Sequence, residues 1–427
     1  MSTFSIDRDG LVPLQYTMPN GNILYYFPDS HIDIVKIDIL FNAGTVMQDK
    51  LMQSAASIQL ITEGTSRHTA REIAEFMDFR GIVIEKNNDE VSATVTVYTL
   101  SRYIAQLLPL LHEMITEATY PDEEFAVYIN KYRQKIQTAM QKTSYVSRKL
   151  FYRGLYGKDH PQGRFATLSD IDSLTVDDVR SFHSRFHHLR NAVFVLSGNV
   201  TDEVLALFGT TFGCGESPQP WNFSIPAPSK SATGLIEEQV EGAVQNTLCV
   251  GRRLPYKWDD MEYARFMVLS TVLGGYFGSR LMTNIREDKG YTYGIYSQTR
   301  IFRDSIAFYI VSDVSSSKVK PALEEIMHEL ECLRKEHISA DELELVRSCM
   351  MGDFMRSIDG IFERSERFRQ QFVTGVTEQF TENYISAVES VTPVQLQQIA
   401  SRIFSEGDLL TVSAGMTMDY NNTIVAE

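Results

Sequence analysis

Histidine and cysteine are both scarce in this chain, and neither falls in a pattern that would hold a metal ion or a disulfide framework. The four cysteines, Cys214, Cys249, Cys332 and Cys349, lie far apart, which fits a reducing compartment and a cytoplasmic protein. Of nine histidines, His183 and His187 stand one helical turn apart with His188 beside them. No acid in the near sequence supports them as a zinc pair. His328-Glu329-Leu330-Glu331-Cys332 opens like a zinc helix but puts cysteine where the second histidine belongs, and after His112-Glu113 that place is taken by Thr116. Positive charge is in deficit as well. The 40 Lys and Arg against 55 Asp and Glu leave a formal charge of −15, which argues against general binding to nucleic acid or anionic membrane. No apolar run approaches the length of a membrane span. The first residues, MSTFSIDRDGLVPL, lack the basic start and apolar core of a secretory signal. Also missing are a phosphate loop, a nucleotide-binding glycine fingerprint and a serine elbow.

What remains is the composition of a globular chain long enough for two cores: 427 residues, 43% hydrophobic and 22% charged. Asn22 to Phe27 and Asp33 to Phe41 read as strands, the second with Ile34, Ile37 and Ile39 among polar neighbours. Lys50 to Ile61 has helical composition, and Thr69 is placed to cap a second helix ending at Arg80 and Gly81. Strands follow at Ile82 to Lys86 and Val91 to Tyr98. Helical text then runs through Arg102 to Thr116, Glu123 to Gln141, Tyr145 to Tyr156 and Ser173 to Phe186, before a strand at Ala192 to Leu196. Strands at both ends with helices between them predict the α+β class, with mostly antiparallel sheets and helices packed on one face.

The pattern repeats. SLTVDDVRSFHSRF from Ser173 has a counterpart in SVTPVQLQQIASRI from Ser390, pairing Thr175 with Thr392 and Arg185 with Arg402. The strands after them, VFVLSG ending at Gly198 and LTVSAG ending at Gly415, keep the same register. A cap, an amphipathic helix and an apolar strand recurring at one offset imply duplicated domains. The expected boundaries are 1–213 for the first domain, 214–232 for a proline-rich linker and 233–427 for the second.

The densest local instruction lies between Leu273 and Ser297. Gly274, Gly275 and Gly278 make a close-approach loop, Arg280 to Lys289 reads as a short helix with Leu281 and Ile285 on one face, and Gly290 caps it into a strand. Arg286 and Tyr293 can then converge. Their guanidinium and phenol would donate hydrogen bonds to a carbonyl oxygen or the oxyanion it becomes. Taken alone, the window also suits a solvated helix charge and a half-buried strand aromatic.

On these features the chain resembles the pitrilysin or insulinase family of zinc peptidases, over essentially its whole length. The likeness is to the short two-domain members such as the mitochondrial processing peptidase. The family's His-x-x-Glu-His helix precedes a Gly-Thr and an Ile-Ala-Glu helix, matched here by Gly64-Thr65 and Ile73-Ala74-Glu75. Counting back, the motif falls on Ala55, Ala56, Ser57, Ile58 and Gln59, so both imidazoles and the general-base carboxylate are replaced. At the distal glutamate position stand Gln134 and Lys135. The family's second-domain signature is intact in Ser279-Arg280-Leu281, Arg286, Glu287, Gly290 and Tyr293.

The resemblance therefore implies a non-catalytic subunit that binds no cofactor of its own. Its partner would be a homologous chain bearing zinc, to which Arg286 and Tyr293 would be supplied in trans for peptide hydrolysis. The resemblance equally accommodates a non-catalytic scaffold or a peptide-binding homodimer of the same fold.

Overall fold

The computed structural model describes residues 9–405 and 407–417, so most of the opening MSTFSIDRDGLVPL, expected to carry no secretory signal, lies outside the described residues. Two compact units emerge. One comprises Met1–Gln134, Ala166–Ile225 and Met355–Val373; the other comprises Lys135–Phe165, Pro226–Phe354 and Thr374–Glu427.

The first unit holds strands β1 (Leu14–Thr17), β2 (Ile23–Pro28), β3 (Ile34–Phe41), β4 (Val83–Asn88), β5 (Ala93–Leu100) and β6 (Ala192–Gly198). They form one sheet in the order β1-β2-β6-β3-β5-β4. Only β2 and β6 run parallel. The helices of the first half are α1 (Gln53–Gln59), α2 (Ala70–Arg80), α3 (Ile104–Thr116), α4 (Asp122–Met140), α5 (Thr143–Tyr156), α6 (Leu168–Ser173), α7 (Val176–Phe186) and α8 (Asp202–Phe212). The second unit holds β7 (Gly234–Gln239), β8 (Gln245–Arg253), β9 (Thr292–Ile301), β10 (Ile306–Ser315) and β11 (Leu410–Gly415) in the order β7-β11-β8-β10-β9. Here β7 and β11 are the parallel pair. Its half of the sequence adds α9 (Met261–Ser270), α10 (Val319–Lys335), α11 (Ala340–Arg356), α12 (Ile361–Thr374), α13 (Glu378–Ser390) and α14 (Pro393–Ile403). The fold is thus α+β with two mixed, mostly antiparallel sheets, as the sequence pattern predicts.

Strand β3 shows how alternation becomes a layer. Val35, Ile37, Ile39 and Phe41 enter a core with Phe194 of β6 and with Leu107, Leu111, Phe182, Phe208 and other helix residues. The intervening residues face the opposite way, where Leu40, Phe27 and Val195 meet Ile361, Phe368 and Phe372 of α12. The second sheet has a matching arrangement: Phe151, Tyr152, Leu155 and Tyr156 of α5 pack on Cys249, Ala307, Leu410 and Val412. Each sheet therefore carries one helix on its reverse face, beyond the single helical layer expected. That helix comes from the other half of the sequence.

The capping predictions hold in detail. Thr69, Thr175 and Thr392 each close a capping box, with Glu72, Asp178 and Gln395 as reciprocal partners. The helix expected over Lys50 to Ile61 is shortened to seven residues. Met52 sits at φ +76°, and the Gln53 side-chain oxygen accepts from the Asp49 and Lys50 amides, at 2.9 Å each, so the first turn is replaced by a side-chain-capped bend. The segment 214–232 has no helix or strand but is tied down. In the first unit Trp221 Nε1 donates to the Asn191 carbonyl at 3.2 Å, and in the second the Ala232 amide donates to Gly154 at 2.8 Å. Among the described residues no helix is long and apolar enough to cross a membrane.

Candidate functional site

The glycine-rich window lies in the second unit, where α9 runs on into wide five-residue turns over Thr271–Gly275. A side chain on Gly274 would meet the Ser297 amide nitrogen at 2.6 Å, so this glycine allows the loop to lie directly against β9. Leu281 and Ile285 are fully buried, as their four-residue spacing predicts. From Met282 to Asp288 the chain is wound more loosely than expected, as a π-helix that includes Ile285. Its flank is held to α10: Asn284 Nδ2 donates to Glu329 at 2.6 Å and Glu325 at 3.2 Å, while Lys289 pairs with Glu325 at 2.5 Å. Arg280 forks onto Glu342 with two 2.8 Å hydrogen bonds. Gly290, at φ +61°, turns the chain into β9 as predicted.

This scaffold leaves two polar groups at the surface. The Arg286 guanidinium lies 4.5 Å from the centre of the Phe277 ring, which is itself 61% exposed. Tyr293 projects from β9, the last strand of its sheet, and is 91% exposed. Among the described residues neither side chain has a hydrogen-bond or ion-pair partner, and they do not bond to each other. The alternative of a half-buried strand aromatic does not describe Tyr293.

In the first unit the helix that would bear the zinc motif presents different chemistry. Ile58 is fully buried and Ala55 half-buried. Gln59 turns its amide to β4, donating to the Lys86 carbonyl at 2.6 Å. Lys86 answers by donating its ammonium to the Gln59 carbonyl and to Thr62 Oγ1, both at 2.7 Å, with Glu63 3.8 Å away. Burial pushes the pKa of this ammonium down, against the pull of Glu63. Gln134 and Lys135 lie exposed on α4. A methyl group, a buried aliphatic chain and an amide already engaged with β4 do not fit a zinc ion.

His183 and His187 are structural. His183 Nε2 bonds the Ile115 carbonyl at 2.8 Å, and burial brings its pKa down to about 4. Burial likewise pushes His187 far below the ordinary imidazole range; among the described residues neither ring nitrogen has a hydrogen-bond partner, and the ring packs against Phe41 and His183. One polar cluster was invisible in the sequence because its members are 45 to 48 positions apart. The buried Glu113 carboxylate accepts from Thr65 Oγ1, from His68 at 2.8 Å, and faces Arg67 Nε at 3.3 Å. It forms the floor of a cavity of about 580 Å³ that His112, Phe76, Pro109 and Leu110 also line.

Residues 173–349 match the peptidase M16 inactive domain. Among curated relatives, an uncharacterized zinc protease of Bacillus subtilis is 22% identical over 92% of this chain and 96% of its own length. A second, from Rickettsia bellii, is also 22% identical, over 93% of this chain and 94% of that protein. The fold is similar to that of a peptidase M16 inactive domain from Pseudomonas fluorescens, with a TM-score of 0.81 at 19% identity, covering 95% of this chain and 98% of the other. A protease from Helicobacter pylori superposes with a TM-score of 0.82 at 18% identity, over 95% and 100% of the two chains.

Proposed function

As a member of the M16 peptidase family, matched through that family's inactive domain, the chain is, we propose, the zinc-free subunit of a heterodimeric metallopeptidase. Its partner is a homologous chain that keeps the His-x-x-Glu-His helix and brings the zinc used for hydrolysis. This chain brings Arg286 and Tyr293. The observation that carries the proposal is the combination of side chains at Ala55, Ile58 and Gln59 that do not fit a metal with an arginine and an exposed tyrosine that have no hydrogen-bond or ion-pair partner among the described residues.

An extended peptide laid along the open edge of β9 would present its carbonyl groups to that pair. Phe277 holds the guanidinium in place by cation–π contact, so little side-chain entropy is lost when it engages. The Arg286 N–H groups and the Tyr293 hydroxyl would donate to the scissile carbonyl oxygen and then to the oxyanion that replaces it, neither group changing protonation. A cytoplasmic location fits the four unlinked thiols.

The test is reconstitution. The purified chain should contain no stoichiometric zinc and cleave nothing from a mixed peptide pool; mixed with its zinc-bearing homologue it should give activity. In that pair Arg286→Ala or Tyr293→Phe should each lower kcat by about 10²-fold, the usual cost of one oxyanion donor, with complex formation retained. Wild-type turnover from both variants would refute a role in trans. Activity from this chain alone would refute the split site.

A further inference from the structure

Strand β9 does not alternate evenly from end to end. Its ladder with β10 pairs Tyr296 with Val311 and Ile295 with Ser312, then resumes with Thr292 opposite Val314. Tyr293 and Gly294 therefore share the single opposing residue Asp313, which makes a β-bulge. The consequence falls on Tyr293. In an evenly pleated strand it would lie on the face of Ile295 and Ser297, because residues two apart share a face, and both of those are buried. The extra residue turns it to the opposite face, that of Tyr296 and Gln298, and leaves it 91% exposed. Gly294 leaves that face to the tyrosines: a side chain on it would meet the Tyr296 ring at 2.9 Å.

Three side chains hold the bulge. Thr292 Oγ1 accepts from the Gly294 amide at 3.1 Å and can give its proton to the Asp313 carbonyl at 2.7 Å or the Gly294 carbonyl at 2.9 Å. Ser312 Oγ stands 2.9 Å from Thr292 Oγ1 and 2.9 Å from the Gly294 carbonyl. The third is Met282, fully enclosed, whose sulfur accepts from the Ile295 amide at 3.5 Å. Met282 opens the π-helix that carries Arg286 four positions on. The bulge that carries Tyr293 is thereby tied to the helix that carries Arg286.

We propose that Thr292 is a positioning residue for Tyr293. Its hydroxyl satisfies amide and carbonyl groups that the bulge withdraws from the ladder, and so fixes the one-residue shift that turns the phenol outward to the substrate. The inference rests on the reading that Arg286 and Tyr293 serve a peptide bond in trans, and adds to it the source of the tyrosine's direction. Arg286 is steadied by a side-chain contact, on Phe277. An exposed tyrosine with no hydrogen-bond partner among the described residues takes its direction from the main chain beneath it. That direction matters, since a misplacement of about 1 Å can cost a reaction about 10²-fold.

The test is a double-mutant cycle in the reconstituted pair. Thr292→Val, which keeps the shape and removes the hydroxyl, should lower kcat by about tenfold with KM changed by less than about twofold, and Thr292→Ser should recover most of the loss. On a Tyr293→Phe background the same Thr292→Val change should lower kcat by less than about twofold, because its effect passes through the phenol already removed. The thermal midpoint of the chain alone should shift equally on both backgrounds, which separates positioning from stability. Ser312→Ala removes the second hydroxyl from the bulge and should repeat the pattern, and it decides the question if Thr292→Val does not assemble. Wild-type kcat in Thr292→Val beside an impaired Tyr293→Phe would overturn the proposal and leave the reading beneath it standing. So would an equal fall in kcat on both backgrounds, which marks a structural role only. Wild-type turnover from Tyr293→Phe would overturn that reading and the proposal together.

Discussion

At the scale of single residues, buried charge and buried imidazole are the sensitive points. Lys36 and Asp38 are buried on the reverse face of the first sheet, 3.0 Å apart, with Thr96 Oγ1 donating to Asp38 at 2.6 Å and Glu366 3.5 Å from the lysine. Removing one partner strands the other's charge, so Lys36→Met should cost about 3–5 kcal/mol in urea denaturation, and the double change Lys36→Met with Asp38→Leu considerably less. A single variant as stable as wild type would show that the pair carries no such penalty. His183 has its pKa lowered from 6.5 to about 4 in the folded chain, so the unfolded chain binds the extra proton first. Its contribution is fully present above pH 6.5 and is lost as pH falls toward 4, about 3 kcal/mol in all; His187 acts in the same direction. Stability measured between pH 7.5 and 4.5 should fall, and the fall should be shallower in His183→Gln. A pH-independent midpoint would contradict this.

At the scale of elements, caps were legible, alternation in part, and winding was not. In β3, Ile37 and Ile39 are buried, but Ile34 is 37% exposed and the polar neighbours Lys36 and Asp38 are buried. The threonines of three capping boxes and the Gly290 turn follow from residue chemistry over a few positions and stand as predicted. The looser turns of Met282–Asp288 do not, because their cause is Glu325 and Glu329 on α10 holding Asn284 and Lys289. Likewise the Glu113 cluster joins residues that only folding brings together. The glycine loop is where local and tertiary demands meet. Gly274→Ala should place a methyl group on the Ser297 amide and cost about 2 kcal/mol in thermal or urea unfolding, with reduced activity in the reconstituted pair. An unchanged midpoint would mean that the loop has room to move away.

At the scale of the whole molecule, the duplication visible in the sequence does not give two self-sufficient halves. α5 and α12, each fourteen residues long, occupy equivalent places in the repeat, and each covers the sheet built mostly from the other half. Residues 1–213 expressed alone would leave Phe27, Leu40 and Val195 without Ile361, Phe368 and Phe372. That fragment should bind a hydrophobic dye and aggregate, and co-expression with residues 214–427 should restore a folded complex; a monomeric, cooperatively folding fragment would contradict this. By itself the sequence determined the α+β class, the repeat and the caps, because each rests on residue type at short or constant spacing. Only the tertiary structure decided which helix covers which sheet, that Gln59 and Lys86 close on each other, and that Arg286 and Tyr293 have no hydrogen-bond or ion-pair partner among the described residues. Those outcomes depend on which distant side chains fill or vacate the space around a residue, and no local pattern encodes that.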